Sequence, residues 1–193
     1  MELRFKLFRA VLLVGGVLLG PLGLHAQEKL VVDPVKSEVH FTLQDVLHIV
    51  HGTFHVRQGE VTFNSATGEA GGSIVVDALS GESGSSSRDN RMKKDVLKAQ
   101  SFATVSFAPT KFTGKFREMG DSTLQVHGVF TLLGTPHEID VPIEVQVSGN
   151  QLHATGAFSV PYVKWGLKDP STLMLRVNKE VQIDLLLVGT VQH

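Results

Sequence analysis

The sequence predicts an all-β protein, an antiparallel barrel or sandwich, on three observations. Apolar and polar residues alternate with a period of two through most of the chain, which marks strands with one dry and one wet face. Turn-forming residues interrupt these runs at short intervals. No repeat and no linker divides the chain, and its 193 residues suit one domain with a sizeable core.

The elements follow in chain order. Residues 1–26 read as a signal peptide. Arg4, Lys6 and Arg9 form a basic start, Ala10 to Leu19 is an uncharged apolar run, and Leu24-His25-Ala26 offers a cleavage site. Gly15, Gly16, Gly20, Pro21 and Gly23 interrupt the run, which is short for a spanning helix of about 20 apolar residues. Cleavage near Ala26 leaves one domain, 27–193, with 15 Lys and Arg against 18 Asp and Glu. The expected location is periplasmic or secreted.

Within that domain Val39, Phe41 and Leu43 alternate with Glu38, His40 and Thr42. A strand is expected to begin near Gly52. Leu124, Val126, Phe130 and Leu132 share one parity. Ile139, Val141, Ile143, Val145 and Val147 alternate with five non-aliphatic partners, and Val181, Ile183, Leu185 and Leu187 close the chain in the same way. Asn64 to Gly68, Gly120-Asp121, Gly149-Asn150 and Asp169-Pro170 are the turn signals. One segment departs from this pattern. After the flexible run Ser80 to Ser87, the residues Met92, Val96 and Ala99 fall at helical spacing. They predict one short amphipathic helix at about 88–99, capped by Ser86 or Ser87, with Asp89 near its positive end.

Composition excludes several function classes. A formal charge of −1 argues against binding nucleic acid by phosphate neutralisation. The absence of Cys removes disulfides, thiolate nucleophiles, Cys-bound zinc and an N-terminal lipid anchor on Cys. The 42% hydrophobic content is too high for a disordered chain.

Histidine is the residue type with the most chemical scope. His48, His51 and His55 stand at i, i+3 and i+7, one face of a helix and a weak metal-ligand pattern. In a strand only His51 and His55 share a face, and surface histidines are the simpler reading. No G-x-S-x-G elbow occurs, and nothing names a catalytic base, so no catalytic residue and no cofactor is expected. Arg88, Arg91, Lys93, Lys94 and Lys98 make the helix basic. The face is either simply solvated or makes transient contact with a membrane surface. Apolar strand faces leave two interiors open, a packed core and a cavity holding one ligand.

The order of several short motifs resembles the YceI-like family of exported, lipocalin-like proteins. They are Val32-Asp33 with Ser37 to Phe41, His48 with Gly52-Thr53-Phe54, and Gly59 to Phe63. Arg88-Asp89 with Met92, Asp95-Val96-Leu97 and Phe107 follow. Phe130 to Gly134, Trp165-Gly166-Leu167 and Val181-Gln182-Ile183 complete the series. Arg91, Ala103, His137-Glu138 and Lys164 depart from the family's usual residues. The resemblance implies an extended eight-stranded antiparallel barrel with one helix, holding a polyisoprenoid or isoprenoid-quinone lipid, and it admits a homodimer. On this reading the lining residues are Phe41, Leu43, Phe54, Phe107, Phe112, Val126, Phe130, Leu132, Val141, Ile143, Ile183 and Leu185, with Trp165 as a plug at one barrel end. The alternatives are a periplasmic metal-binding module on His48, His51 and His55, and a packed barrel acting through protein partners.

Overall fold

A computed structural model describes residues 27–171 and 176–192. The expected signal peptide lies outside them. Nine strand segments form one antiparallel sheet: β1 (Glu28–Val32), β2 (Glu38–Gln44), β3 (Ile49–Phe63), β4 (Ala70–Asp77), β5 (Thr104–Thr113), β6 (Gly120–Leu132), β7 (Thr135–Ser148), β8 (Gln151–Val160) and β9 (Val181–Gln192). β2 to β9 pair in sequence order, and β9 returns to β2, closing an eight-stranded barrel. β1 continues the line of β2, because both lie between β3 and β9. At the break between them Ser37 stands in for a ladder pair. Its hydroxyl donates to the Val188 carbonyl (3.3 Å) and accepts the Val188 N–H (3.0 Å).

Two bulges explain why simple parity fails along β3 and β5. Phe54 and Phe63 have opposite parity, yet both turn inward, because the register shifts between Val56 and Gln58. β3 is therefore one strand of 15 residues. On β5 the shift between Pro109 and Lys111 does the same for Phe107 and Phe112. An extra residue in one strand moves the following side chains to the other face. Gly120-Asp121, expected as a turn, opens β6 instead, and the β5–β6 loop falls earlier, at 114–119.

The segment between β4 and β5 crosses one end of the barrel. It contains a short 3₁₀ turn (Ala78–Ser80), α1 (Ser86–Arg91) and a π-helical turn (Met92–Val96). The helix is thus earlier and shorter than the expected 88–99. Ser85 occupies the cap position without a side-chain bond. Asp89 holds the start differently: its buried carboxylate accepts the Ser83 N–H (3.0 Å) and the Ser83 hydroxyl. The Leu97 N–H reaches back five residues to Met92 O, which widens the last turn.

The interior has two unlike halves. At the end holding the β3–β4 and β7–β8 turns, thirteen buried residues, among them Leu30, Phe63, Phe112, Leu124, Val147 and Leu152, form a filled core. Phe63 packs edge-on against Phe112 and Phe116, with ring centroids 6.2 and 5.1 Å away. A smaller cluster around Leu132, Val160, Tyr162 and Leu167 packs at the opposite end.

Candidate ligand cavity

A cavity of about 610 Å³ lies between the filled core and the crossing segment. Small-ligand sites span roughly 300–1,000 Å³. Along β9 it is lined from Val181 to Leu187, about 20 Å at the ~3.3 Å rise of a strand. The crossing segment adds Met92, Val96 and Leu97 as a ceiling.

Aromatic rings keep the lumen open by lying over glycines. Phe41 faces Gly52 across the β2–β3 ladder. A Cβ at Gly52 would come within 2.4 Å of the Phe41 ring, and one at Gly128 within 2.7 Å of the Phe107 ring. Without those Cβ atoms each ring rests against backbone, and large apolar side chains cover the wall without filling the space. Phe41 also packs on Phe54 (5.3 Å), and Phe130 on Phe158 (5.8 Å).

The structure places Phe41, Leu43, Phe54, Phe107, Phe130, Leu132, Ile183 and Leu185 on the cavity wall. The other four expected lining residues need correction. Phe112 belongs to the filled core, Val126 and Ile143 pack against it, and Val141 is buried at 2% exposure away from the cavity. All four fall short of the cavity because period-two alternation distinguishes inside from outside but carries no information about depth along the barrel.

Polar groups gather at one end, the mouth, and come from three connections. They are Asp45 and His48 after β2, Ser83, Ser85, Ser87, Arg88 and Arg91 before and within α1, and Tyr162 after β8. Sequence reasoning missed Asp45, the serines and Tyr162 as cavity residues. Asp45 accepts the N–H groups of Leu47 and His48, both at 2.7 Å. The Leu47 bond above all holds its carboxyl below the usual range, against an opposing cost of burial, and His48 adds to the lowering. The Arg88 guanidinium donates to the Ser83 hydroxyl and carbonyl, each at 2.7 Å. The Tyr162 hydroxyl donates to the Asn178 carbonyl at 2.6 Å. Burial pushes its pKa up to about 12, with the Asp169 charge adding to the shift, so it is a neutral donor at physiological pH.

The histidines do not converge. His48 sits at the mouth, 3.6 Å from Asp45. His51 lies on the outer face, bonded to the Thr42 hydroxyl (3.0 Å), and His55 is exposed. Among the described residues no group of three or more His, Asp or Glu is arranged to hold a metal ion. β3 is the reason: it is a strand from Ile49, so the helical spacing never forms. Trp165 stacks on His137 (3.9 Å, 5° between planes) and leans on Phe130 (5.8 Å). It packs against the small cluster beside the mouth and does not line the cavity.

The profile of the YceI-like domain matches residues 30–188. No curated protein matches the chain in sequence. Three solved structures share the fold. BcnA of Burkholderia cenocepacia is 20% identical, with a TM-score of 0.67 over 82% of this chain and 99% of its own. A polyisoprenoid binding domain from Saccharophagus degradans, implicated in plant cell wall breakdown, is 16% identical, with a TM-score of 0.64 over 84% and 98%. The Campylobacter jejuni YceI protein is 15% identical, with a TM-score of 0.59 over 75% and 86%.

Proposed function

The chain belongs to the YceI-like family, and from that premise we propose that it is an exported carrier that holds an isoprenoid lipid or quinone in the barrel without transforming it. One observation carries the reading: the cavity is walled almost wholly by aliphatic and aromatic side chains, and apart from Ser106 on β5 its polar side chains gather at the mouth. A long isoprenoid in water bears a hydration cost of about 25 cal/mol per Å² of apolar surface, and a narrow apolar lumen about 20 Å long removes that cost for an extended chain. The Saccharophagus relative, a polyisoprenoid binding domain, supports the ligand class. Export rests on the basic and apolar layout of residues 1–26.

Native mass spectrometry of protein purified from the exported fraction, followed by organic extraction, tests the proposal. The expected result is a discrete added mass that extracts as an isoprenoid. Ile183→Trp, on the wall, should abolish the added mass while the protein stays folded. An unliganded mass that persists after incubation with isoprenoid quinones would sink the reading.

A further inference from the structure

We infer that the mouth end of the barrel is a docking face for an anionic phospholipid bilayer, with Val46 and Leu47 as the inserting tip; this inference rests on the carrier reading. The tip joins β2 to β3. Val46 is 68% exposed, Leu47 73% and the following Ile49 59%. Three large apolar side chains within four residues make a contiguous apolar point, where scattered single ones would need no explanation.

The tip is held outward by its own hydrogen bonds. Asp45 accepts from Leu47 and His48, the Asp45 N–H donates to the His48 carbonyl (2.9 Å), and the Val46 N–H donates to the Arg176 carbonyl (3.2 Å). Asp45 also bridges to Val177. A free loop would turn these side chains back onto the apolar cavity wall. This backbone is fixed with Val46 and Leu47 pointing to solvent, while Asp45 and His48, on either side of them, line the cavity.

Charge selects the partner. The described connections at this end, residues 44–48, 77–103, 133–137, 161–171 and 176–180, carry nine Lys and Arg against seven Asp and Glu. The remainder of 27–193 carries six against eleven. Among the described residues Arg91, Lys93, Lys94 and Lys98 form no ion pair. An apolar point beside unpaired cations, on an otherwise acidic body, matches an anionic interface, where apolar insertion and electrostatic attraction add. A second copy of the chain would set these cations against one another. Docking in this pose presents the lumen to the acyl region, so a lipid moves between bilayer and barrel without crossing water.

Co-flotation with vesicles tests this, using phosphatidylcholine alone and phosphatidylcholine with phosphatidylglycerol. Lipid-extracted protein and the Ile183→Trp variant are both used, so a failed carrier reading leaves this test standing. The expected result is binding to the anionic vesicles that falls as salt rises. Val46→Ser with Leu47→Ser should weaken it by about tenfold or more. Lys93→Gln with Lys94→Gln, which take no part in the hydrogen bonds that hold the tip, should weaken it and flatten its salt dependence. No binding to anionic vesicles, or binding that both double variants leave unchanged, would overturn the inference. So would a dimer in solution that the Val46→Ser, Leu47→Ser variant dissolves.

Discussion

Gly52→Ala is a one-methyl perturbation whose effect follows from the geometry of the cavity wall. A Cβ at this position would lie 2.4 Å from two carbons of the Phe41 ring and 2.4 Å from the Glu82 carbonyl oxygen. Carbon atoms pack at about 3.5–4.0 Å, so the ring must retreat by roughly 1 Å or more. The Glu82 side offers no relief. Its carbonyl accepts the Thr53 N–H at 2.8 Å, and its N–H donates to the Thr53 carbonyl at 3.0 Å. That pair pins the crossing segment to β3. The remaining direction for Phe41 is into the lumen. Overpacking of this kind costs about 1–3 kcal/mol, and removing a glycine from a strand returns about 0.5–1 kcal/mol. At the middle of both ranges the steric cost wins by about 1 kcal/mol, which lowers the Tm by roughly 2–4 °C for a domain of this size.

Calorimetry on lipid-extracted protein reads this directly, and extraction matters because a bound ligand raises Tm by mass action. Gly71→Ala is the control. Its nearest neighbour would be the Thr62 hydroxyl oxygen at 3.4 Å, so it should melt at or above the parent. Gly52→Ala should also take up less lipid, because Phe41 then occupies lumen. A Gly52→Ala protein that melts with Gly71→Ala and carries a full complement of lipid would refute the account of rings resting on glycine.

Three further outcomes follow from the same geometry. Tyr162 has its pKa raised by burial to about 12, so the folded state holds the proton more tightly than the unfolded state, whose value is near 10. Its contribution to stability is complete below about pH 10 and is lost as pH climbs toward 12; Tyr162→Phe should remove that alkaline limb from a urea-midpoint profile. Asp45 has its pKa lowered, chiefly by the Leu47 N–H, so its contribution is complete above the ordinary carboxylate pKa and fades as pH falls through the lowered value; Asp45→Ala should speed amide exchange at Leu47 and His48 at neutral pH, and unchanged exchange would deny it this role. Ile143→Trp should lower Tm rather than block lipid uptake selectively, because Ile143 packs against the filled core and lies close over Gly156, and folded, lipid-free Ile143→Trp protein of parental Tm would put it on the wall after all.

The parts of this molecule that were legible in its sequence are those governed by local periodicity. β2, β6, β7 and β9 run without a bulge of their own, and each appears where the apolar residues of one parity fall. Met92 and Val96 do turn into the cavity, and Ala99 is fully buried, although a π turn carries Met92 to Val96 in place of the end of an α-helix. What stayed hidden is set by contacts distant in sequence. The Arg88–Ser83–Asp89 linkage replaces a serine cap, and periodicity does not register side-chain bonds of that kind. The polar mouth assembles from 45–48, 83–91 and Tyr162, positions that no spacing rule connects. The histidine spacing carries no site because i, i+3, i+7 has meaning only on a helix, and β3 starts one residue after His48.

The two bulges fall at the boundary between the hollow and filled halves, and this offers a physical reason for the cavity. Phe54 and Phe107 precede the bulges and line the lumen, while Phe63 and Phe112 follow them and fill it. The same residue type does opposite work on either side because its surroundings change. Before the bulges, glycines at 52, 81 and 128 let rings lie against backbone. After them, Phe63 meets Phe112 and Phe116 edge-on, a geometry that aromatic rings favour and that fills the interior. β4 lies between the two bulged strands and contributes Ile74 and Val76 to the cavity wall. A bulge bends its strand and raises the local twist. Two of them flanking one strand let the barrel change its interior midway without breaking the hydrogen-bonded ring. The filled half can then supply the stability that an empty lumen does not, and the hollow half is free to keep its space.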